Sequence, residues 1–116
     1  MNNKIYIAGR ITGDPNYKAK FKSAEATVKD WRFFELNGKK AALHLGRFGF
    51  EAVNPAEFTL LGHDLAECRW SLAMVVCLCR LVRCSYVYML KDWKQSKMAM
   101  IEHRWAIFLG KEIIYQ

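Results

Sequence analysis

The sequence is poor in proline and glycine, with only 2 prolines and 7 glycines among its 116 residues. This composition excludes collagen-like and low-complexity chains, in which those residues dominate. Apolar residues make up 53% of the chain and aromatic residues 14%. Disordered chains are depleted in both groups, so the sequence predicts a folded protein. At this length we expect one domain that spans residues 1–116.

The chain also lacks a long apolar run. The longest purely apolar stretch, Leu72 to Cys79, is far shorter than the roughly 20 residues that a membrane-spanning helix requires. The first four residues lead directly into a short apolar segment, without the extended apolar core of a signal peptide. We therefore expect a cytoplasmic protein without a membrane partner.

Paired cysteines of the zinc-binding type are missing as well. The four cysteines, at positions 68, 77, 79 and 84, all lie within one apolar stretch, whereas zinc ligands usually come as C-x2-C or C-x4-C pairs on turns. Reduced cysteines in a hydrophobic core explain this pattern without a metal. We expect neither a metal site nor another cofactor.

Acidic residues are outnumbered, with 11 Asp and Glu against 18 Lys and Arg, which gives a net charge of +7. A basic chain can attract the phosphates of nucleic acids non-specifically. Much of the excess, however, lies between the apolar positions of a predicted helix that starts near Pro15, where lysines are expected on the solvated face. Nucleic-acid binding is therefore the weakest of three functional hypotheses, behind an enzyme and a nucleotide-binding module.

Strand-like and helix-like segments alternate along the chain. Short β-branched or aromatic runs at 4–9, 50–53, 85–90 and 112–115 predict strands, and helical periodicity predicts helices at 17–37, 39–47, 68–83 and 96–109. This alternation favours an α/β protein with three layers. We predict a flavodoxin-like or Rossmann-like parallel sheet of four to five strands with helices on both faces.

The predicted helix from Cys68 to Arg83 is apolar at nearly every position from Trp70 to Val82. A helix without a polar face has no side to present to water. In a domain this small, that pattern indicates a subunit interface, so we expect a homo-oligomer, a dimer or larger, formed through this helix.

Ligands of parallel sheets bind beyond the carboxyl ends of the strands. Three predicted loops satisfy this rule: Gly9 to Asn16, Asn54 to Asp64, and Lys91 to Lys97. The first contains Gly9, Arg10, Thr12 and Gly13 before a helix N-terminus, a combination that suits an anion, although an ordinary turn explains it equally well. The third contains Asp92 and Trp93, which we expect to contact a substrate.

The last predicted helix contains the main catalytic candidate. Glu102 lies on the apolar side of this helix, next to Met98, Ile101 and Trp105 at helical spacing. A carboxylate in such a poorly solvated place can serve as a nucleophile or general base, although a partly exposed surface residue or a structural pair is the plainer interpretation. Ser96, at the start of the helix, can hold an anion. The three histidines, at positions 44, 63 and 103, are interpreted as structural or solvent-facing.

Several segments, taken in order, resemble the nucleoside 2-deoxyribosyltransferase-like superfamily. They are Lys4-Ile-Tyr-Ile-Ala-Gly-Arg-Ile-Thr-Gly, Asn16-Tyr17, Glu51-Ala-Val-Asn-Pro-Ala-Glu, Tyr88-Met-Leu-Lys-Asp-Trp-Lys-Gln-Ser-Lys, Glu102-His103 and Gly110-Lys-Glu-Ile-Ile-Tyr. They resemble most a branch of small bacterial and phage domains.

The resemblance implies a five-stranded flavodoxin-like domain that usually oligomerises and cleaves the N-glycosidic bond of a 2′-deoxynucleoside or its 5′-monophosphate. By this resemblance Glu102 is the nucleophile, Tyr6 positions it, and Ser96 contacts a 5′-phosphate. The glycine-containing first loop maps onto Gly9 to Gly13. The expected partner is thus a small nucleoside or nucleotide.

Two positions depart from the family pattern. Cys77 and Ser85 stand where relatives carry aspartates, and the first of these normally protonates the departing base. A thiol is a poor replacement for a carboxylic acid in this role. Another acid (Asp64, Glu67 or Asp92) could protonate the base, or the chain could bind nucleotides without cleaving them.

Overall fold

The computed structural model describes residues 3–11, 14–37, 49–60, 63–64 and 69–116. The strands in these ranges are β1 (Lys4–Ala8), β2 (Glu51–Val53), β3 (Thr59–Leu60), β4 (His63–Asp64), β5 (Tyr86–Met89) and β6 (Glu112–Tyr115). The α-helices are α1 (Tyr17–Lys29), α2 (Trp31–Asn37), α3 (Trp70–Leu81) and α4 (Lys97–Phe108), with short 3-10 helices at Pro55–Glu57 and Trp93–Gln95.

Four strands form a parallel sheet in the order β2-β1-β5-β6. Strand β1 lies inside the sheet, where Ile5 is the register partner of both Ala52 in β2 and Tyr86 in β5. On the far side of β5, Tyr86 faces Glu112 of β6. The predicted α/β parallel sheet with helices is confirmed, with four strands in the described part of the chain.

The two faces of the sheet carry separate hydrophobic clusters. Successive residues of a strand point to opposite faces. Ile5 and Ile7 therefore pack on the side of α1 and α2, whereas Tyr6 and Ala8 pack on the side of α3 and α4. This alternation decides which helices can share a site with Tyr6.

The helix predicted from 17 to 37 is in fact two helices, and the break is at Asp30. The backbone of Asp30 is extended, and its side chain accepts the N–H of Arg32 at 2.9 Å. Aspartate competes with the helical pattern by capping a new helix start. The break lets Phe33 and Phe34 reach the strands, where Phe34 meets Phe50 edge to face at 4.7 Å.

Helix α4 has a defined cap at each end. The hydroxyl of Ser96 accepts the N–H of Ala99 at 3.2 Å, which satisfies one of the free amides of the first turn. Beyond the last turn, Gly110 adopts a left-handed conformation with φ of +71°. Both ends agree with the helix predicted between 96 and 109.

Helix α3 begins at Trp70 and ends at Leu81, within the predicted 68–83 segment. Its inner side packs Ala73, Met74, Cys77 and Leu81 against the sheet. On the outer side, Leu72 and Val75 of this helix and Val82, which directly follows it, are 49%, 59% and 50% exposed. No helix of the described residues has the length and apolar composition needed to cross a membrane.

The segment predicted as a loop through residues 62–64 contains a strand instead, because His63–Asp64 pairs antiparallel with Thr59–Leu60. The short second strand and the last strand are confirmed as β2 and β6. The helix predicted at 39–47 lies outside the described residues.

Candidate functional site

Glu102 lies in the middle of α4 and is almost completely buried, with 2% of its surface exposed. Burial penalises the charged carboxylate and raises the pKa of Glu102 to about 8, while the nearby Tyr6 hydroxyl opposes part of this shift. At neutral pH the carboxyl group is therefore mostly protonated. A carboxyl with a pKa in this range suits proton transfer, or nucleophilic attack at a slightly higher pH.

Two further buried side chains face Glu102 from different elements. Tyr6 comes from β1, and its pKa is raised by burial and by the neighbouring Glu102 and Cys77. Cys77 comes from α3, and burial raises the pKa of its thiol to about 12. We call Tyr6, Cys77 and Glu102 the buried triad. Tyr6 and Glu102 are 96 positions apart in the sequence, and the fold brings both of them to Cys77.

Hydrogen-bonding capacity in the buried triad is left unused. Neither the Tyr6 hydroxyl nor Glu102 Oε2 has a hydrogen-bond partner of normal geometry among the described residues. Native structures rarely leave buried polar atoms without partners, and such atoms call for a functional or structural explanation. Each of these two atoms therefore keeps hydrogen-bonding capacity for a polar group that reaches the triad.

Ser96 lies six residues before Glu102, at the N-terminus of α4. At 1.5 Å per residue, this separation is roughly 9 Å along the helix axis. That distance exceeds a single hydrogen bond but matches a ligand with two functional groups, such as a sugar with an anionic substituent. Helix N-termini favour anions because of their free amides and the helix dipole.

The first loop packs closely on the end of β5. A side-chain carbon at Gly9 would lie 2.7 Å from Leu90 Cδ1, so only glycine fits at this crossing without a shift. The N–H of Arg10 donates to Asp92 Oδ1 at 3.2 Å. Thr12 and Gly13, which the sequence also predicts as ligand-binding residues, lie outside the described residues.

Asp92 is held by an ion-pair network that the sequence did not predict. Its Oδ2 contacts Lys20 Nζ, and the same ammonium group contacts Asp14. These contacts raise the pKa of Lys20 and lower that of Asp14. Lys20 is one of several lysines of α1 in the sequence, and no local pattern distinguishes it from the others.

Trp93 lies near the edge strand β6, where its ring centroid is 6.3 Å from that of Tyr115. Its ring stacks on His103 at 4.3 Å, and His103 Nε2 lies 2.8 Å from the hydroxyl of Tyr115. Burial and the nearby Lys94 lower the pKa of His103. The structure thus places Trp93 and His103 in one aromatic cluster, and gives His103 the structural surroundings that the sequence predicts.

A cavity of about 410 Å³ opens on the other side of the sheet. It lies between α1 and the carboxyl ends of β5 and β6, and we call it the α1 groove. Its lining residues are Ala19, Lys20, Ser23, Leu90, Lys91, Asp92 and Gln116. Asp92 is the only one of these that the sequence predicts as a ligand-binding residue, because the rest come from three segments without a shared motif.

The predicted site residues thus fall into separate groups. Tyr6 and Glu102 meet in the buried triad on the α3 and α4 side, and Ser96 starts the same helix. Arg10 and Asp92 meet at the strand ends, where Asp92 also lines the α1 groove. Cys77, which the sequence marks as a departure from the family pattern, is a neighbour of both triad partners.

Comparison with known proteins yields one family. No curated protein and no solved structure is similar enough to match the chain. The matching family model is described as "Domain of unknown function (DUF4406)" and covers residues 33–115, which include Cys77, Ser96 and Glu102 but neither Tyr6 nor the first loop. Because this range is more than half of the sequence, the chain belongs to the DUF4406 family.

Proposed function

We propose that this protein cleaves the N-glycosidic bond of a 2′-deoxynucleoside or its 5′-monophosphate, passing the deoxyribosyl group to another base or to water. The observation that carries the proposal is the buried Glu102 carboxyl, which has a raised pKa, an unpartnered oxygen and the Tyr6 hydroxyl beside it. The resemblance of the sequence to the nucleoside 2-deoxyribosyltransferase-like superfamily supports the same roles.

In the proposed reaction the ionised Glu102 stabilises positive charge at the anomeric carbon. The C–N bond breaks, its electron pair leaves with the base, and a carboxylate oxygen bonds to the sugar. Water or an acceptor base then attacks the anomeric carbon and releases Glu102. Since Glu102 is almost completely buried, substrate binding must first displace one of the side chains that cover it.

The departing base also needs a proton. Cys77, with a thiol pKa of about 12, is a weak acid for this step. Asp92, in the third predicted loop, is a carboxylic acid near the strand ends, but Arg10 and Lys20 hold it as a hydrogen-bond acceptor. In the proposed reaction the proton therefore comes from the substrate itself or from a residue near the predicted loop at 54–64.

The test is chromatographic detection of free base after incubation with the deoxynucleosides and their 5′-monophosphates. We expect base release by the wild type and a loss of at least about 100-fold in Glu102→Gln, the usual order for removing a catalytic group. Glu112→Gln, at an exposed glutamate of β6, is the matched control and should keep full activity. Absence of base release by the wild type from every substrate contradicts the proposal.

A second candidate is a nucleotide-binding module without turnover. The presence of Cys77 favours this second candidate, because the buried triad has no second carboxyl group that could protonate the base. This candidate predicts calorimetric binding of a deoxynucleoside monophosphate without base release. It is excluded if a panel of nucleotides shows no binding.

We also propose that the protein self-associates through α3. Leu72, Val75 and Val82 repeat at intervals of three or seven residues and form an apolar stripe on the outer side of this helix. On the neighbouring helix α4, Ile107 and Phe108 are also exposed, the latter at 79%. Exposed apolar residues grouped in this way are typical of protein interfaces.

A further inference from the structure

The α1 groove is separate from the buried triad. Its walls come from α1 and from Leu90, which belong to the hydrophobic cluster on the α1 and α2 side of the sheet. The triad lies on the opposite side, with α3 and α4. The volume of the α1 groove, about 410 Å³, falls in the range of small-molecule sites.

The acceptor atoms of the groove are already engaged. Asp92 Oδ1 accepts the N–H of Arg10, and Asp92 Oδ2 contacts the ammonium group of Lys20. The amide oxygen of Gln116 accepts the N–H of Lys91 at 2.9 Å. A ligand that offers mainly hydrogen-bond donors would therefore find few acceptors in this groove.

The donor atoms, in contrast, are available. Lys91 Nζ, the amide nitrogen of Gln116 and the hydroxyl of Ser23 line the groove without a hydrogen-bond or ion-pair partner among the described residues. The bond from Lys91 to the Gln116 oxygen fixes which end of the amide remains a donor. Ala19 and Leu90 supply an apolar wall beside these groups.

From this imbalance we propose that the α1 groove binds a small molecule through an anionic group, a carboxylate or a phosphate, held by Lys91, Ser23 and the Gln116 amide. Such a group supplies several acceptors and a negative charge, which the ammonium group of Lys91 complements. The apolar wall accommodates the body of the molecule. The proposal does not depend on the reaction proposed for Glu102.

Titration followed by amide NMR tests this site. The probes are inorganic phosphate and, in a separate arm, acetate, both added at constant ionic strength so that the two anion types are distinguished. We expect saturable shifts at the amides of Ser23, Lys91 and Gln116 with at least one probe. Lys91→Gln should weaken this binding roughly tenfold, since a hydrogen bond to a charged group is lost, and Ser23→Ala should weaken it less.

Lys94→Gln is the matched control, because Lys94 lies in the same loop region but sits over the Trp93 ring. It should leave the affinity unchanged, as should Glu102→Gln. The proposal is overturned if neither probe shifts the groove amides, if the shifts occur at the start of α4 instead, or if Lys94→Gln weakens binding as much as Lys91→Gln. Ser23 and Lys91 are exposed, so both variants are expected to fold.

Discussion

At the scale of single residues, the protonation of Glu102 is the most consequential property of the molecule. A glutamate in an unfolded chain ionises near its usual pKa of 4.5, whereas in the folded protein its pKa is about 8. The other two members of the buried triad also have raised pKa values. The triad is therefore mostly uncharged at neutral pH.

The raised pKa of Glu102 predicts that this residue makes stability fall as pH rises. Between about pH 4.5 and pH 8 the folded state holds a proton that the unfolded state has released, so raising the pH favours unfolding. Each pKa unit corresponds to about 1.4 kcal/mol, which makes the effect several kcal/mol. It is absent below pH 4.5 and complete above pH 8.

Urea unfolding of the wild type and Glu102→Gln at pH 5 and pH 8 measures this effect. The variant cannot ionise at this position, so it should gain stability relative to the wild type at the higher pH. A constant difference between the two proteins at both values would contradict the assigned pKa.

If Glu102 is the nucleophile, its pKa also sets the pH dependence of turnover. The free enzyme must ionise Glu102 before attack, so kcat/KM should rise about tenfold per pH unit below pH 8 and level off above it. Initial rates of base release from pH 5.5 to 9 provide the measurement. A rate that is constant from pH 6 to pH 8 would exclude Glu102 ionisation as the controlling step.

At the scale of elements, the end of α4 depends on one glycine. The φ of +71° at Gly110 is costly for residues with a side-chain carbon, although no atom lies within 4 Å of where that carbon would be. Gly110→Ala should therefore lower the free energy of unfolding by about 1 kcal/mol through the backbone alone. Gly110→Asn should cost less, because asparagine tolerates this conformation.

Chemical denaturation of both variants against the wild type checks this expectation. Circular dichroism should show that the helix content of each folded variant is unchanged. An alanine variant as stable as the wild type would show that the helix end rearranges without cost.

The elements differ in how far the sequence could predict them. Strand β6 and helix α4 were predictable because short apolar runs, Ser96 and Gly110 mark their limits locally. The break at Asp30 was missed because apolar spacing continues across it and hides the local capping signal of Asp30, whose side chain accepts the N–H of Arg32. The β3 and β4 pairing was missed because two-residue strands carry too little pattern.

The candidate site, too, was predictable only in part. Helical spacing singled out Glu102 and the family resemblance singled out Tyr6, and the burial of Glu102 agrees with the poorly solvated position that the sequence predicts for it. The contacts of Asp92 with Lys20 and the α1 groove were not found, since they join residues from distant segments. The sequence therefore predicts which residues carry reactive groups better than it predicts which residues contact them in the fold.

At the scale of the whole molecule, charge and exposed apolar surface act against each other. The net charge of +7 makes two copies repel, whereas the outer stripe of α3 favours their contact. Because salt screens the repulsion and strengthens apolar contact, self-association should increase with salt concentration.

Sedimentation velocity at about 0.05 M and about 0.5 M sodium chloride, where screening lengths differ severalfold, tests this prediction. Val75→Asp should shift the protein toward the monomer at both concentrations. Ala26→Asp, at an exposed position of α1, introduces the same charge and should not. Equal monomer fractions for the wild type and Val75→Asp would remove α3 from the interface.

The position of β1 inside the sheet has a consequence for biosynthesis. Strand β1 leaves the ribosome before both of its neighbours, β2 on one edge and β5 on the other, and β5 is made more than 75 residues later. Until then Tyr6 lies next to an unpaired strand edge, and neither α4 nor Glu102 has been synthesised. The nascent chain therefore exposes an aggregation-prone edge until β5 emerges, and the buried triad assembles only after α4 has been made.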